Sequence, residues 1–329
     1  MKTLFDKTII NKMELKNRLM RSATWENMAD QKGHLTDRLI KLYEDLAKGG
    51  IGLIITSAIY LTENSKSLNG QLGLYSDEFI GEYKEFTSMI HKYGSKVLAQ
   101  MSYASLKGEM LKPTDVTTED IKAIATDFGD AAARAEKAGF DGVEIHAAHG
   151  FFLSQFLSSI HNQRRDNYGG NLENNSRIIL EIYDEIRKRT SKDFIIFIKV
   201  NSIDANDYEN AFKVCKYTCI QLSIKGIDGI EISGGNDITE YKESIYRDYA
   251  AEIAAEIQTP VILVGKNRTP DVMNEILNTT AIQYFSLSRP LISESNLVNL
   301  WEEDSDKAPK CISCGKCMNE NGLMCIFNR

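Results

Sequence analysis

The feature that most constrains the fold is a set of eight short apolar runs, each followed by a stretch with helical periodicity. The runs are Arg18–Ser22, Ile51–Thr56, Lys96–Met101, Gly142–His146, Phe194–Val200, Gly229–Ser233, Pro260–Val264 and Gln283–Leu287. Several are almost continuously apolar, as strands of a parallel sheet are when both of its faces are covered. Eight strand–helix units in 329 residues predict an α/β protein with a (β/α)8 fold, the TIM barrel.

A doubly wound sheet is the alternative fold. The number of units favours the barrel, and so does the absence of Gly-x-Gly-x-x-Gly after the first run. The helical pattern is clear in 117–138, where Thr117 and Asp120 predict a capped start and Gly139 predicts the end. We expect one barrel domain, residues 1–303, and a short cysteine-rich C-terminal tail, residues 304–329.

Composition and charge exclude several classes of protein. Apolar residues make up 43% of the chain and charged residues 26%, so a full core can be buried. The net charge is −7 and basic residues are scattered, which argues against nucleic-acid binding. No apolar run is long enough to span a membrane, and the N-terminus has no apolar signal region. We therefore expect a cytoplasmic protein that acts on a small molecule.

In a TIM barrel the carboxyl ends of the strands meet at the active site. Here these ends combine small residues, an amide, an imidazole and two cations: Ala23, Thr24, Ala58, Gln100, His146, Lys199, Gly234, Gly265, Ser288 and Arg289. Small residues allow a flat ligand to approach the backbone, and the cations favour an anionic one. The ends of the last two strands are also where barrels commonly bind phosphate. A turn glycine and a rim arginine are the alternative interpretation of Gly265 and Arg289.

Two histidines, His146 and His149, follow the fourth run. Zinc-binding helices use His-x-x-x-His with a glutamate, so this pair is better suited to donating hydrogen bonds to one ligand oxygen, with ordinary loop histidines as the alternative. For Lys199 and Gln100 the alternatives are a rim lysine with its charge in water and a satisfied core amide. The polar segment 162–170 is interpreted as a self-bonded loop that holds the strand-four segment in place.

The tail contains Cys311-x2-Cys314-x2-Cys317-x7-Cys325. This spacing indicates a metal site, and it begins like the cysteine run of bacterial 4Fe–4S ferredoxins. A zinc site with four thiolate ligands is equally reasonable chemically. Four reduced thiols without a metal are the third interpretation.

The sequence resembles the Old Yellow Enzyme family of NADH:flavin oxidoreductases, and within it the bacterial branch related to the barrel domain of 2,4-dienoyl-CoA reductase. The resemblance extends over roughly residues 1–300, and its most specific part is Ala138-Gly-Phe-Asp-Gly-Val-Glu-Ile-His-Ala-Ala-His-Gly150. Further matching segments are Leu15 to Arg18, Gly52 to Ala58, Lys96 to Gln100, Asn162 to Gly170 and Ser288 to Ile292.

The resemblance implies an FMN-binding barrel that uses NADH or NADPH as co-substrate. Gln100 and Ala58 match residues that contact the isoalloxazine ring, and Ala23 and Thr24 match the strand-one segment beside it. Lys199 matches a cation near the flavin N1/O2 edge, where it would stabilise the negative charge of reduced flavin. Gly265, Ser288 and Arg289 match the phosphate site. His146 and His149 match the pair that binds the carbonyl oxygen of an enone and so activates its β-carbon toward hydride from flavin N5.

The chain departs from the family pattern in several places. Phe151 replaces the usual proton-donor tyrosine, with Tyr103 and Tyr168 as candidate substitutes. The segment Tyr103 to Leu106 replaces the family's His-Ala-Gly-Arg, and a short loop follows, which predicts a more open site. The chain stops after the cysteines, so a cluster there would need an external electron donor. A C-terminal arginine that enters a neighbouring subunit's site in some relatives makes Arg329 a candidate for the same role in a homo-oligomer.

The main functional prediction is an FMN-dependent NAD(P)H oxidoreductase that reduces a small activated alkene or similar electrophile. Two alternatives remain at this point. One is a flavoprotein that takes electrons through a C-terminal iron–sulfur site. The other is a flavin-binding protein without turnover, which the phenylalanine at position 151 favours.

Overall fold

The computed structural model describes residues 1–106, 109–204, 207–235, 243–319 and 322–328. Eight parallel strands form a closed barrel, and each lies within one residue of a predicted run or inside it. They are β1 Leu19–Arg21, β2 Leu53–Ile55, β3 Lys96–Ser102, β4 Gly142–Ala147, β5 Ile195–Asn201, β6 Gly229–Ser233, β7 Val261–Val264 and β8 Tyr284–Leu287. Strand β8 pairs with β1, and β3 pairs with β4, so the sheet closes on itself. The predicted TIM barrel is confirmed.

Ten helices alternate with or follow the strands in the described part of the chain. They are α1 Asp37–Lys48, α2 Phe79–His91, α3 Thr118–Lys137, α4 Phe152–Leu157, α5 Leu172–Arg189, α6 Tyr208–Lys225, α7 Arg247–Glu256, α8 Pro270–Thr279, α9 Arg289–Ser293 and α10 Leu297–Glu303. The described part of the chain contains no helix long and apolar enough to cross a membrane.

Helix α3 forms as its sequence predicts. The Thr117 and Asp120 side chains bond to each other's backbone N–H, a capping box. Gly139 follows the helix with φ +83°, a conformation that favours glycine. The apolar face of α3 is buried against the barrel and α5.

Several short strands lie outside the eight-stranded barrel. The hairpin Thr8–Ile10 and Met13–Leu15 closes its amino end. Strands Ile59–Tyr60 and Leu72–Gly73 extend the sheet beside β3. Two further hairpins pair Ser105–Leu106 with Glu109–Met110, and Met318–Asn319 with Gly322–Leu323. Single 3-10 turns occupy Glu63–Ser65, Pro113–Asp115 and Ile326–Asn328.

Successive side chains of each barrel strand point alternately outward and inward, and they belong to two separate hydrophobic cores. Residues such as Val143 and Ile145 pack in the large core between strands and helices. Leu98 and Phe197 point inward and join the hairpin in a smaller core at the amino end of the barrel. Because side chains alternate across a strand, Glu144 faces the barrel interior, above that smaller core.

The tail packs on the barrel through hydrogen bonds of both backbone and side-chain groups. Leu323 N donates to Glu26 O at 2.9 Å, and Lys310 N donates to the Glu294 carboxylate at 2.6 Å. Arg268 binds Ser313 Oγ at 2.7 Å and also the Cys311 carbonyl. The division between residues 303 and 304 coincides with the end of α10 and stays a prediction.

Candidate active site

A cavity of about 260 Å³ opens at the carboxyl ends of the strands. Seven of the predicted site residues line it: Ala23, His149, Lys199, Gly234, Gly265, Ser288 and Arg289. Thr24, Ala58, Gln100 and His146 lie on the same ends of strands β1 to β4 but do not line this cavity. The closed barrel therefore brings together, at the carboxyl ends of its strands, residues that are more than 260 positions apart in the sequence. We call this end of the barrel its mouth.

Two larger cavities lie elsewhere. One, of about 590 Å³, separates the tail from α1 and α9, and the other, of about 630 Å³, lies beside the amino-end hairpin. Neither is lined by a residue predicted to bind a cofactor or substrate, although Cys325 borders the first. Chemistry rather than size therefore identifies the smaller cavity as the candidate active site.

Lys199 is the buried cation of the site. Its side chain is 3% exposed, and its Nζ lies 2.9 Å from Glu231 Oε2 and 2.7 Å from Ser22 Oγ. An ammonium has three N–H groups. One is donated to Ser22 Oγ and the contact with Glu231 is an ion pair, so at least one N–H is left for a ligand in the cavity. A lysine in this position is not a rim lysine with its charge in water, because almost none of it reaches solvent.

The two histidines lie together, with ring centroids 5.6 Å apart. His149 has φ +60°, a strained conformation for a residue with a side chain, and its Nε2 is 2.8 Å from Ser233 Oγ. His146 Nδ1 is buried and has no hydrogen-bond partner among the described residues. An unpaired buried nitrogen is uncommon in folded proteins, which makes His146 a candidate for a functional role.

Burial controls the protonation of the pair. It lowers the pKa of His149 to about 3, with Lys199 as the second cause. Burial, then His149 and Lys199, lowers the pKa of His146 well below its usual value. Both rings are therefore neutral at pH 7, and each carries one N–H that can donate a hydrogen bond.

The glycines of the site have a structural cause that the sequence did not reveal. A Cβ on Gly234 would lie 2.4 Å from the ring of Tyr246, and a Cβ on Gly265 would lie 2.5 Å from the same ring. Gly265 also has φ +126°. Tyr246 donates a hydrogen bond from its hydroxyl to Gly235 O at 2.5 Å. Close approach at these glycines is thus made by a tyrosine of the chain itself, which forms part of the cavity wall.

The first and last strands meet beside Arg289. Thr24 Oγ1 and Ser288 Oγ are 2.7 Å apart, and Arg21 Nη1 donates to Thr24 Oγ1 at 2.6 Å. Arg21 is itself buried opposite Glu26, at 3.7 Å. Burial raises the pKa of Glu26 to about 7, against the opposing effect of Arg21. These contacts fix the wall that contains Ser288 and Arg289.

No acidic hydroxyl takes the place of the missing tyrosine in the described surroundings of the histidines. The Phe151 ring lies on His146, with centroids 5.0 Å apart. Tyr168 donates its hydroxyl to Glu181 on α5 at 2.9 Å. The Tyr103 hydroxyl is engaged with Asp127 on α3, and burial raises the pKa of Tyr103 to about 12. Both tyrosines therefore direct their hydroxyls to the outer helices.

The loop after α4 is a scaffold, as predicted. Asn162 Nδ2 donates to Phe156 O at 2.9 Å and to Tyr168 O at 2.7 Å. Arg164 pairs with Asp166 and also bonds to the Val116 carbonyl, both at 2.5 Å. These bonds connect the segment that follows β4 to itself and to the start of α3.

The cysteines of the tail lie near one another. Burial, then the neighbouring thiols of Cys311, Cys325 and Cys314, raises the pKa of Cys317. Cys311 and Cys325 are buried, whereas Cys314 is exposed. Within the described ranges, no group of three or more His, Cys, Asp or Glu side chains is arranged to hold a metal ion. A metal at these four cysteines stays a prediction, and Arg329 lies outside the described residues.

Sequence reasoning did not single out Glu144, Glu231 and Tyr246. Glu144 and Glu231 are fully buried inside the barrel. The available signal was a single carboxyl side chain between apolar residues of a buried strand, as in Ile230-Glu231-Ile232. A charge at such a position is costly unless it is paired, which makes it a candidate for function. Tyr246 gave no signal, because it lies outside the strand ends against which it packs.

A TIM barrel with a buried cation, two neutral histidines and small residues at its mouth defines a cofactor-dependent barrel enzyme. The family model described as "NADH:flavin oxidoreductase / NADH oxidase family" matches residues 3–115 and 102–307. The chain therefore belongs to this family, as the sequence predicted. FMN, with NADH or NADPH as co-substrate, is the cofactor set that accompanies the family.

Individual proteins agree with this assignment. An NADH oxidase of Thermoanaerobacter brockii is 28% identical over 99% of this chain and 56% of its own length. An NADPH dehydrogenase of Halalkalibacterium halodurans is 32% identical over 78% of this chain and 79% of its own length. The chain thus spans just over half the length of the first relative. The solved structure of an old yellow enzyme homologue from Zymomonas mobilis matches the fold, with a TM-score of 0.80, 20% identity and coverage of 95% and 96%. The narrower relation to 2,4-dienoyl-CoA reductase stays a prediction.

The residues of the cavity fit FMN. Lys199 and Arg289 supply positive charge for a phosphate and for a reducible ring, and the small side chain of Ala23 leaves room for a flat group. The hydroxyls of Ser22 and Ser288 add hydrogen-bonding capacity. The cavity volume of about 260 Å³ lies slightly below the roughly 300 Å³ that is the lower end for ligand pockets.

Proposed function

We propose that the protein is an FMN-dependent oxidoreductase that takes reducing equivalents from NADH or NADPH and passes them to a small activated alkene or similar electrophile. The observation that supports this best is the convergence of Lys199, His146 and His149 at one barrel mouth. A cation that is 2% exposed and two neutral imidazoles there suit a reducible anionic cofactor and an electrophile with a polar oxygen. Bound FMN would supply the hydride chemistry, as flavins do.

Lys199 and Arg289 would hold the cofactor. Lys199, through its remaining N–H, would stabilise negative charge on the ring, and its attachment to Glu231 fixes its position before any charge develops. Preorganised groups of this kind stabilise developing charge without having to reorient. Ser288 and Arg289 would bind the phosphate, on the wall fixed by Thr24.

His146 and His149 would bind the carbonyl oxygen of the electrophile. The hydroxyl of Ser233 can donate to His149 Nε2, which would leave the Nδ1–H of that ring free to donate to the substrate. A hydrogen bond to the carbonyl oxygen withdraws electron density from the β-carbon and so favours hydride transfer. Neither ring can act as a proton source, because both are neutral at pH 7.

With Phe151 in place of a tyrosine, protonation of the substrate α-carbon would be the slow step of alkene reduction. Its ring cannot donate a proton, and the hydroxyls of Tyr103 and Tyr168 are engaged with the outer helices. Solvent would then supply the proton. Alkene reduction should be slow relative to reduction of the flavin by NAD(P)H.

Anaerobic stopped-flow spectroscopy tests the proposal. The purified protein should be yellow, and NADPH or NADH should bleach its flavin absorbance. Reoxidation by a cyclic enone should accelerate about 100-fold in Phe151→Tyr, the lower end of what a placed general acid contributes, while the rate of reduction is unchanged. Phe151→Leu is the matched control, since it alters the ring without adding an acid. Colourless protein that takes up no FMN contradicts the proposal.

Phe151 also supports a second candidate, a flavin-binding protein without alkene turnover. In that case the reduced wild-type protein would not be reoxidised by any enone faster than buffer blanks. A third candidate is a flavoprotein that takes electrons from an external protein through a C-terminal iron–sulfur site. Iron and sulfide analysis of anaerobically purified protein decides whether that site exists.

The cytoplasmic location stays a prediction, and so does a homo-oligomer that places Arg329 in a neighbouring subunit's site.

A further inference from the structure

Four polar side chains form a buried layer inside the barrel, beneath its mouth. Gln100, Glu144, Lys199 and Glu231 come from the neighbouring strands β3 to β6, with Glu144 in register with Gln100 and Lys199 in register with Glu231. Their exposed fractions are 3%, 0%, 2% and 0%. We call this group the inner polar layer.

The contacts divide the inner polar layer into two pairs. Gln100 Nε2 donates to Glu144 Oε2 at 2.7 Å, and Lys199 Nζ lies 2.9 Å from Glu231 Oε2. Glu144 Oε1 and both carboxylate oxygens of Glu231 have no hydrogen-bond partner in the described part of the chain, so Lys199 and Glu231 form an ion pair without a hydrogen bond. The cation therefore compensates Glu231, whereas Glu144 accepts its hydrogen bond from a neutral amide, that of Gln100.

One ammonium cannot compensate two buried carboxylates. Where two carboxyl groups share a site, one of them retains its proton. Burial, and then the charge of Glu231, raises the pKa of Glu144 to about 8, against the opposing effects of Lys199 and Gln100. Glu144 is therefore a neutral acid at pH 7, with Oε1 available for the proton.

Lys199 connects the inner polar layer to the cavity. It lies in register with His146 on β4, it lines the cavity, and its ammonium contacts Glu231. The same cation thus faces a carboxylate inside the barrel and any anion bound at the mouth. Negative charge added at the mouth competes for Lys199 and so makes ionisation of Glu144 less favourable.

We propose that Glu144 is a positioning residue that stores a proton and, acting through Lys199, couples this proton to the charge of a flavin bound at the mouth. Above the pH at which Glu144 ionises in the oxidised protein, two-electron reduction of the flavin to its anionic form is accompanied by uptake of one solvent proton by Glu144. The electrons come from NAD(P)H as a hydride, which also forms the N–H bond of the reduced flavin, or from an added reductant together with one solvent proton for that bond. The additional solvent proton forms the O–H bond of Glu144, and this bond breaks again on reoxidation. The inference rests on the proposed function, because it requires bound flavin.

The dependence of the flavin midpoint potential on pH tests this role. One additional proton per two electrons adds about 30 mV per pH unit, the two-electron equivalent of a tenfold change in equilibrium constant. The wild-type potential should become steeper by this amount above about pH 8, the pKa of Glu144. Glu144→Gln should keep the shallower slope throughout. Glu181→Gln, which alters a carboxyl group on the outer helix α5, is the control and should behave as wild type.

Two results distinguish failure of the role proposed for Glu144 from failure of the proposed function. Flavin that is bound and reduced with the same pH slope in wild type and Glu144→Gln overturns the role of Glu144 and leaves the proposed function intact. Wild-type protein that binds no FMN overturns the proposed function itself. If Glu144→Gln does not fold, infrared difference spectra of the wild type at pH 9 decide, since reduction should produce the band of a protonated carboxyl group. Absence of that band overturns the proposal.

Discussion

Replacing Lys199 by methionine tests the energetics of the inner polar layer most directly. The substitution keeps an unbranched side chain of similar length and removes the charge, so Glu231 remains buried without a cation. At 2.9 Å and an effective dielectric constant of 20, the lost attraction is about 6 kcal/mol. Breaking a buried ion pair by removing one partner costs roughly 3–5 kcal/mol in practice. We expect the free energy of unfolding to fall by that smaller amount.

The assay is denaturant unfolding of the flavin-free protein, so that loss of cofactor affinity does not contribute. In thermal unfolding the same loss corresponds to a fall in Tm of roughly 6–10 °C, since large domains lose about 2 °C per kcal/mol. The double variant Lys199→Met with Glu231→Gln should recover most of the stability, because it removes the uncompensated carboxyl group together with the cation. It should not recover flavin binding.

Two outcomes would contradict the expected loss of stability. A Lys199→Met protein within 1 kcal/mol of wild type at pH 8 would refute this reasoning, and so would a double variant no more stable than the single one.

Two further predictions concern the glycines and an outer carboxyl group. Gly265→Ala should destabilise the fold by about 1–3 kcal/mol and weaken FMN uptake, because its Cβ would meet Tyr246 and φ is +126°. Gly170→Ala is the control for backbone strain alone, because Gly170 has φ +92° and open space where its Cβ would lie. Equal losses of stability in the two variants would contradict a clash between residue 265 and Tyr246. Burial raises the pKa of Asp127 to about 6, so wild type should lose stability as the pH rises from about 4 through 6. Asp127→Asn should not show this loss when the free energy of unfolding is measured by urea titration at each pH. If stability falls with pH equally in the variant and the wild type, Asp127 is not its cause.

Much of the architecture follows from local sequence. Near-continuous apolar runs and intervening amphipathic stretches predict eight strands and the helices between them, because burial on both faces and the helical repeat leave different patterns. The start of α3 was predictable to the residue from Thr117 and Asp120. The ends of the strands also identified His146, His149 and Lys199 as candidates, since a barrel places those ends together.

The tertiary structure decided which of these residues meet and in what state of charge. The contact between Lys199 and Glu231 depends on the register of two strands, and the approach of Tyr246 to Gly265 depends on how the residue before α7 packs against the end of β7. Neither leaves a local pattern in the sequence. The neutral state of the histidines and of Glu144 is likewise a tertiary property, because desolvation and the nearest charges set a pKa. The sequence by itself therefore determined the barrel and the candidates at its mouth, and the packing of distant strands determined their chemistry.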